Sequence, residues 1–277
     1  MKAADFASRR AEFRRLHQSG CFVIPNPWDA GSARYLRSLG FKALATTSAG
    51  FAFSRGLPDG ESAVSRDAVL AHIADLVAAV DLPINADFLG GYAREPEAVA
   101  GNVRLCVDTG VAGLSIEDST GDRDHPLFDL PLAVERVKAA RAAIDSSGTD
   151  VLLVARAECF LTGHADPLRE SIRRLQAYAE AGADVLYAPG PTKRDDIQAI
   201  VAAASPRPVN VLLGSNTGLT IADLAQLGVR RISVGAALAR TAWTGFIRAA
   251  KELAEQGTGF DGIISHGELS TLFKAEK

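Results

Sequence analysis

The sequence predicts a single (β/α)8 TIM barrel, and three observations predict it. Eight short β-rich runs alternate with longer helical patterns along the chain. The runs are apolar on both faces, as strands of a parallel sheet covered by helices must be. Eight such units in roughly 250 residues is the arithmetic of a closed barrel. An open doubly wound sheet more often stops at roughly five to seven strands. No G-x-G-x-x-G follows the first run and no P-loop occurs.

The first element is a helix over 4–18. Asp5 and Glu12 stand among Arg9, Arg10, Arg14 and Arg15, and no signal-like apolar block is present, so this is an amphipathic helix rather than a targeting segment. Strands follow at 21–26, 41–48, 82–88, 112–118, 150–158, 184–190, 208–214 and 230–235. The helical patterns lie at 29–39, 66–80, 96–109, 131–145, 167–181, 193–204, 220–227 and 236–256. Gly40, Gly110, Gly182 and Gly228 close four of these helices just before the next strand, the expected left-handed caps. The chain therefore divides into an N-terminal helix (1–20), the barrel (21–256) and a C-terminal tail (257–277), all one domain.

Composition narrows the class. With 277 residues, 47% of them apolar, the chain can bury a large core. A net charge of −3 gives no reason to expect a nucleic-acid partner, and no apolar stretch is long and charge-free enough to span a bilayer. Cys21, Cys106 and Cys159 are odd in number and form no C-x-x-C pair, so a reduced, cytoplasmic location is expected.

In such a barrel the active site lies where strands end, so polar residues there carry the information. Asn85 and Asp87 alternate near the end of the third strand and share a face. Glu117 ends the fourth strand, and Arg156 lies near the end of the fifth. Two carboxylates on adjacent strands repel unless something positive lies between them. Few oxygen ligands with room for water suit Mg2+ or Mn2+. None of the five histidines falls at a strand end, which argues against zinc. Arg156 is suited to gripping a carboxylate or an enolate oxygen; the alternative is a buried salt bridge to Asp87 or Glu117 that only knits the barrel.

No lysine projects from a strand end, so Schiff-base chemistry is not expected. Cys159 has no clear histidine partner. Asp59, in the "SRGLPDG" loop 54–60, can reach over the mouth or simply bond its own turn. The polar stretch "STGDRDHPLFDL" 119–130 reads either as a mobile lid or as an ordinary surface loop.

Taken in order, "GFKALATTSAG…GLPDG", "LPINADFLGGY", "GLSIED", "VARAE" and "PVNVL" resemble the isocitrate lyase/phosphoenolpyruvate mutase superfamily. The resemblance runs from about residue 22 to 240. It implies a barrel often with its last helix swapped between subunits, assembled as a homodimer or homotetramer. It also implies Mg2+-assisted chemistry next to the carbonyl of a small 2-oxo acid, through an enolate. By position, Asp87 and Glu117 match metal-site acids, and Asn85 stands where many members have another Asp. Arg156 matches the arginine that stabilises substrate carboxylate and enolate oxygen. Thr47, Ser48 and Ala49 match the segment that holds the 2-oxo acid; Asp59 matches a loop aspartate and Asn210 a substrate-side asparagine.

The departures are specific. The K-[KR]-C-G-H segment of the lyases is absent, as are the lysine and the K-T-N-S-like segment of the mutase branch. His125, Asp122 or Asp124 on the 119–130 stretch could substitute for the missing proton donors. The reading is a Mg2+-dependent carbon–carbon lyase or decarboxylase acting on a small 2-oxo or 2-hydroxy di- or tricarboxylic acid, with an oxaloacetate-type decarboxylation attractive. Alternatives are carbon–phosphorus chemistry as in the mutase or phosphonopyruvate hydrolase, with Arg123 as lid cation, and a sugar-phosphate barrel using "LLGSNTG" and "ISVGAAL". A last one is a non-catalytic barrel that binds 2-oxo acids.

Overall fold

Each predicted β run condenses to a short strand, and the eight strands form one parallel sheet. A computed structural model of the chain describes residues 3–257 and 260–274. The strands are β1 (Phe22–Ile24), β2 (Leu44–Ala45), β3 (Ile84–Asp87), β4 (Gly113–Glu117), β5 (Leu152–Arg156), β6 (Val185–Tyr187), β7 (Val209–Leu212) and β8 (Arg231–Ser233). Their order is β1-β8-β7-β6-β5-β4-β3-β2. The seam between β1 and β2 is bridged by the Ala45 amide, which donates to the Pro25 carbonyl at 3.1 Å. Asn26, after β1, ties its two neighbours together: its amide donates across the seam to the Thr46 carbonyl at 2.8 Å, and its oxygen accepts from Val234 and Gly235 N–H after β8, each at 2.9 Å. The result is a nearly closed α/β TIM barrel.

The helices are α1 (Ala3–Leu16), α2 (Ala30–Ser38), α3 (Ser48–Ser54), α4 (Arg66–Ala79), α5 (Pro96–Asp108) and α6 (Leu130–Ser146). They continue with α7 (Pro167–Glu180), α8 (Arg194–Ala204), α9 (Ile221–Gln226), α10 (Ala237–Gln256) and α11 (His266–Phe273). Two of them depart from expectation. α3 occupies what reads as the end of a strand and its loop; Thr47 caps it, accepting from the Gly50 amide at 3.2 Å. α11 lies in the stretch expected as a tail, begun by a capping box between Ser265 and Glu268.

Alternation along the strands makes two cores. Leu114, Ile116, Leu153, Ala155 and Ile232 face the surrounding helices. Ile24, Ala45, Leu152, Val154, Val185 and Tyr187 fill the barrel, joined from below by Phe13 of α1. The extra N-terminal helix thus plugs the floor. No helix among the described residues is long and apolar enough to cross a membrane.

Candidate active site

The register of β4 and β5 sets Glu117 opposite Arg156. From there the guanidinium reaches three carboxylates: Asp87 Oδ1 at 2.7 Å, Glu117 Oε2 at 3.1 Å and Glu158 Oε1 at 2.8 Å. It also lies over the Tyr187 ring, 5.2 Å from the centroid. The side chain that sequence reasoning offered as either clamp or salt bridge is therefore ion-paired with both strand-end acids. Burial opposes its charge, but Glu117, Glu158 and Asp87 outweigh that and hold it protonated. Burial pushes Glu117 well above the usual carboxylate range despite Arg156, and pushes Glu158 up for the same reason.

Asp87 is fixed from the other side. Its Oδ2 accepts from the Ser48 amide at 3.0 Å, and its own amide donates to Thr46 Oγ1 at 2.8 Å. The chain beyond it is strained: Leu89 and Tyr92 have φ of 48° and 56°, unusual without glycine. Buried Arg136 of α6 holds this turn, donating to the carbonyls of Gly90 and Ala93 and, at 2.7 Å, of Arg94. Asn102 of α5 adds a bond to the Gly91 carbonyl at 2.8 Å. The Tyr92 hydroxyl is buried without a hydrogen-bond partner. Its pKa is raised by burial and then by Asp87 and Glu61.

These groups open onto a cavity of about 180 Å³, room for roughly six waters. Thr47, Ser48, Ala49, Asp59, Asn85, Asp87 and Arg156, seven of the residues singled out in the sequence, all line it. Asp59 stands on an exposed loop, but its carboxyl is hydrogen bonded by Ser48; desolvation and then Asp87 raise its pKa. Asn210 is buried behind the cavity, donating to Ser233 Oγ at 2.9 Å. Asn85 turns away from the acids: its oxygen faces Arg231 Nη1 at 3.4 Å. That contact directs its amide oxygen toward the cation of β8.

His125 requires a correction. It is exposed on the loop after β4 and lines a separate cavity with Tyr92, His164 and Arg174. An antiparallel bridge between Ser119 and Leu127 folds that loop back on itself, and His125, Asp122 and Asp124 line this second cavity rather than the one Arg156 lines. Cys159 is buried with its thiol pushed up to about 11, chiefly by desolvation, so it is no nucleophile. Asp118, the residue after Glu117, is engaged by α7, accepting from Arg174 at 2.9 Å and the Tyr178 hydroxyl at 2.5 Å.

Sequence reasoning missed Arg231. It begins β8, is 3% exposed, and lines the floor of the cavity. Its Nε donates to Asn210 Oδ1 at 2.7 Å. Among the described residues no carboxylate pairs with it, and burial lowers its pKa to about 10. The available signal was alternation: Arg231 and Ser233 share the inward face of one strand.

Asp59, Asp87, Glu117 and Glu158 set four carboxylates against the single guanidinium of Arg156 at the mouth. Glu117 Oε2 is buried without a hydrogen-bond partner. Hard oxygen donors in acidic excess fit a hard divalent cation held largely through water. They do not form a cage: among the described residues no group of three or more His, Cys, Asp or Glu side chains is arranged to hold a metal ion by itself.

Fold and site together define a barrel enzyme class in which acids and one arginine meet at the mouth. The chain belongs to the phosphoenolpyruvate phosphomutase family, whose model matches residues 13–254, within the phosphoenolpyruvate mutase/isocitrate lyase superfamily. It is 38% identical over 225 residues to an uncharacterized Mycobacterium tuberculosis protein, covering 80% of this chain and 81% of that one. A lyase/mutase candidate from Burkholderia cenocepacia J2315 superposes with TM-score 0.94 at 46% identity over 99% of both chains. Oxaloacetate acetylhydrolase, solved with its product oxalate, superposes with TM-score 0.85 at 26% identity, over 96% of this chain and 94% of that one. Members of the superfamily include lyases, a mutase and a hydrolase.

Proposed function

We propose that this chain is a Mg2+-dependent carbon–carbon lyase or decarboxylase acting on a small 2-oxo or 2-hydroxy di- or tricarboxylic acid. The observation that carries the reading is the contact of Arg156 with Asp87 and Glu117 beside a small cavity. Asp87 and Glu117, aided by Asp59, would hold Mg2+ mainly through water. When bound, the ion supplies Lewis acidity to the substrate's 2-oxo and carboxylate oxygens.

The chain's own residues do the rest. Thr47, Ser48 and Ala49 line the cavity wall against which the 2-oxo acid packs. Breaking the bond next to the carbonyl leaves its electron pair as an enolate, and Arg156 stabilises the developing oxyanion. Because the guanidinium is already fixed by three acids, it need not reorganise as that charge appears. Carbon–phosphorus chemistry has less support, since Arg123 is exposed and does not line the cavity.

The active form is a homo-oligomer. α10 leaves Trp243, Phe246 and Ile247 exposed along one helix, an apolar face suited to a second subunit.

The test is calorimetric titration of pyruvate, oxaloacetate, 2-oxoglutarate, phosphoenolpyruvate and phosphonopyruvate with and without Mg2+, followed by product assay. Mg2+-dependent binding and loss of a dicarboxylate is the expected result. Binding without product would leave a non-catalytic barrel, and no binding would overturn the reading.

A further inference from the structure

Arg231 is a long cation in the one part of the site that has no acid. It fits because its opposite wall is small: Ala45 of β2, and Gly113 and Ser115 of β4, leave space across the barrel. A Cβ on Gly113 would stand 2.8 Å from Asn85 Oδ1 and 2.7 Å from the Phe13 ring, so the bare backbone there helps keep Asn85 in reach of Arg231. The guanidinium then spans from β8 to Asn210 on β7 and Asn85 on β3, at 2.7 and 3.4 Å.

Both partners are neutral amides. An arginine has five N–H donors, and these bonds use only Nε and Nη1; Nη2 takes no partner among the described residues. A buried guanidinium without a counter-charge is costly unless something anionic completes it. Ser115 and Ser233 add hydroxyls to the same cavity lining. Asn85 is the deciding residue. An aspartate there would set a carboxylate within ion-pair distance of Arg231 and neutralise it; the amide leaves the charge for a ligand.

We propose that Arg231 determines the specificity of the cavity by receiving a second carboxylate of the substrate on its floor, so that the site selects dicarboxylates over monocarboxylates of the same 2-oxo or 2-hydroxy acid type. The inference rests on the reading given under Proposed function and names its substrate class. The two ends of the cavity then divide the work. Arg156, surrounded by acids, serves the reacting end, and Arg231 anchors the end that does not react. A bidentate carboxylate on the free edge of Arg231 supplies binding without displacing the mouth acids.

The experiment measures affinity, not turnover. Pyruvate is compared with oxaloacetate, and lactate with malate as the chemically stable pair, by calorimetry with Mg2+ on the whole protein, Arg231→Met, Arg231→Lys and Asn85→Asp. The unaltered protein should prefer each dicarboxylate by about tenfold or more. Arg231→Met and Asn85→Asp should bring that ratio close to one, and Arg231→Lys should retain part of it. If Arg231→Met does not fold, Asn85→Asp and Arg231→Lys decide the matter. A dicarboxylate preference that survives in the folded variants, or equal loss of both acids, would make Arg231 a structural floor and overturn the inference while the lyase reading stands. Failure of the unaltered protein to bind any of the four acids would remove the lyase reading, and this inference with it.

Discussion

Arg156 Nη2 lies 3.1 Å from Glu117 Oε2, yet that oxygen is buried without a hydrogen-bond partner. The guanidinium neutralises Glu117 without aiming an N–H at it. A carboxylate so placed has lost water and gained only part of a pair, and burial accordingly raises its pKa. The folded protein therefore holds the Glu117 proton more tightly than the unfolded chain does. The stability from this group is complete below the ordinary glutamate value of 4.5 and is lost as pH rises through the raised value.

Glu117→Gln imitates the protonated form. At about pH 8 the variant should be more stable than the unaltered protein by about 1–2 kcal/mol, and the gap should close toward about pH 4. Denaturant melts at both pH values check this. Mg2+-dependent binding of 2-oxo acids should fall in the same variant, the trade of stability for function that active sites show. Equal stability at both pH values would mean that Arg156 satisfies Glu117 fully.

Removing the hub acts in the opposite direction. Arg156→Met strands Asp87, Glu117 and Glu158 around an apolar side chain and should cost about 3–5 kcal/mol. Arg156→Lys keeps the charge but cannot reach three acids from one ammonium, so it should fold and lose most turnover. Equal turnover in the lysine variant would show that point charge alone suffices. Melts and rates on the same preparations separate the two effects.

Much of this was legible in the sequence because strands report themselves by apolar runs and strand ends by the acid that stops them. "INAD" and "GLSIED" announce Asp87 and Glu117 in this way, and "VARAE" places Arg156 beside them. α3 was not legible, because "SAGFAFS" has small residues and no helical period, and Thr47 reads equally as strand or cap. α11 carried a visible signal, Ser265 and Glu268 at capping-box spacing, hidden inside an apparent tail. Arg231 was hidden by its neighbour: in "RRIS" two arginines look like a solvated strand start, and only register shows that the second points inward. His125 misled because proximity in sequence to Glu117 says nothing about which way a folded loop carries it.

The floor depends on a missing side chain. Gly113→Ala would put a methyl 2.7 Å from Phe13 and 2.8 Å from Asn85 Oδ1, with the Leu152 carbonyl at 3.2 Å. Overpacking of this kind costs about 1–3 kcal/mol. The variant should melt at lower temperature, and Phe13→Leu in the same chain should restore part of the loss. No recovery in the double variant would place the strain elsewhere.

Phe246 is 63% exposed on α10, beside Trp243 at 5.4 Å between ring centroids. If a second subunit covers this face, Phe246→Glu places a charge in the contact and should halve or quarter the mass seen by light scattering. A protein of unchanged mass would leave α10 outside the interface.

Two buried histidines contribute to the acid limit. His17 is wedged between Phe13 and Phe22, at 4.7 and 5.0 Å between ring centroids, and its pKa falls to about 3 through burial and then the nearby charge of Arg231. His72 stacks on Phe51 at 3.9 Å and falls to about 4, again mainly through burial. Both pKa values lie below the unfolded value of 6.5, so between those limits the unfolded chain binds more protons than the native one. Stability from each histidine is therefore full above about pH 6.5 and is lost as pH falls, by up to about 1.4 kcal/mol per pH unit. His72→Phe keeps the ring stack and removes the titration. Its stability should fall less steeply than that of the unaltered protein between about pH 6 and pH 4, while Glu117→Gln leaves this limb intact. Parallel acid limbs for His72→Phe and the unaltered protein would show that the His72 ring takes up its proton without leaving its place against Phe51.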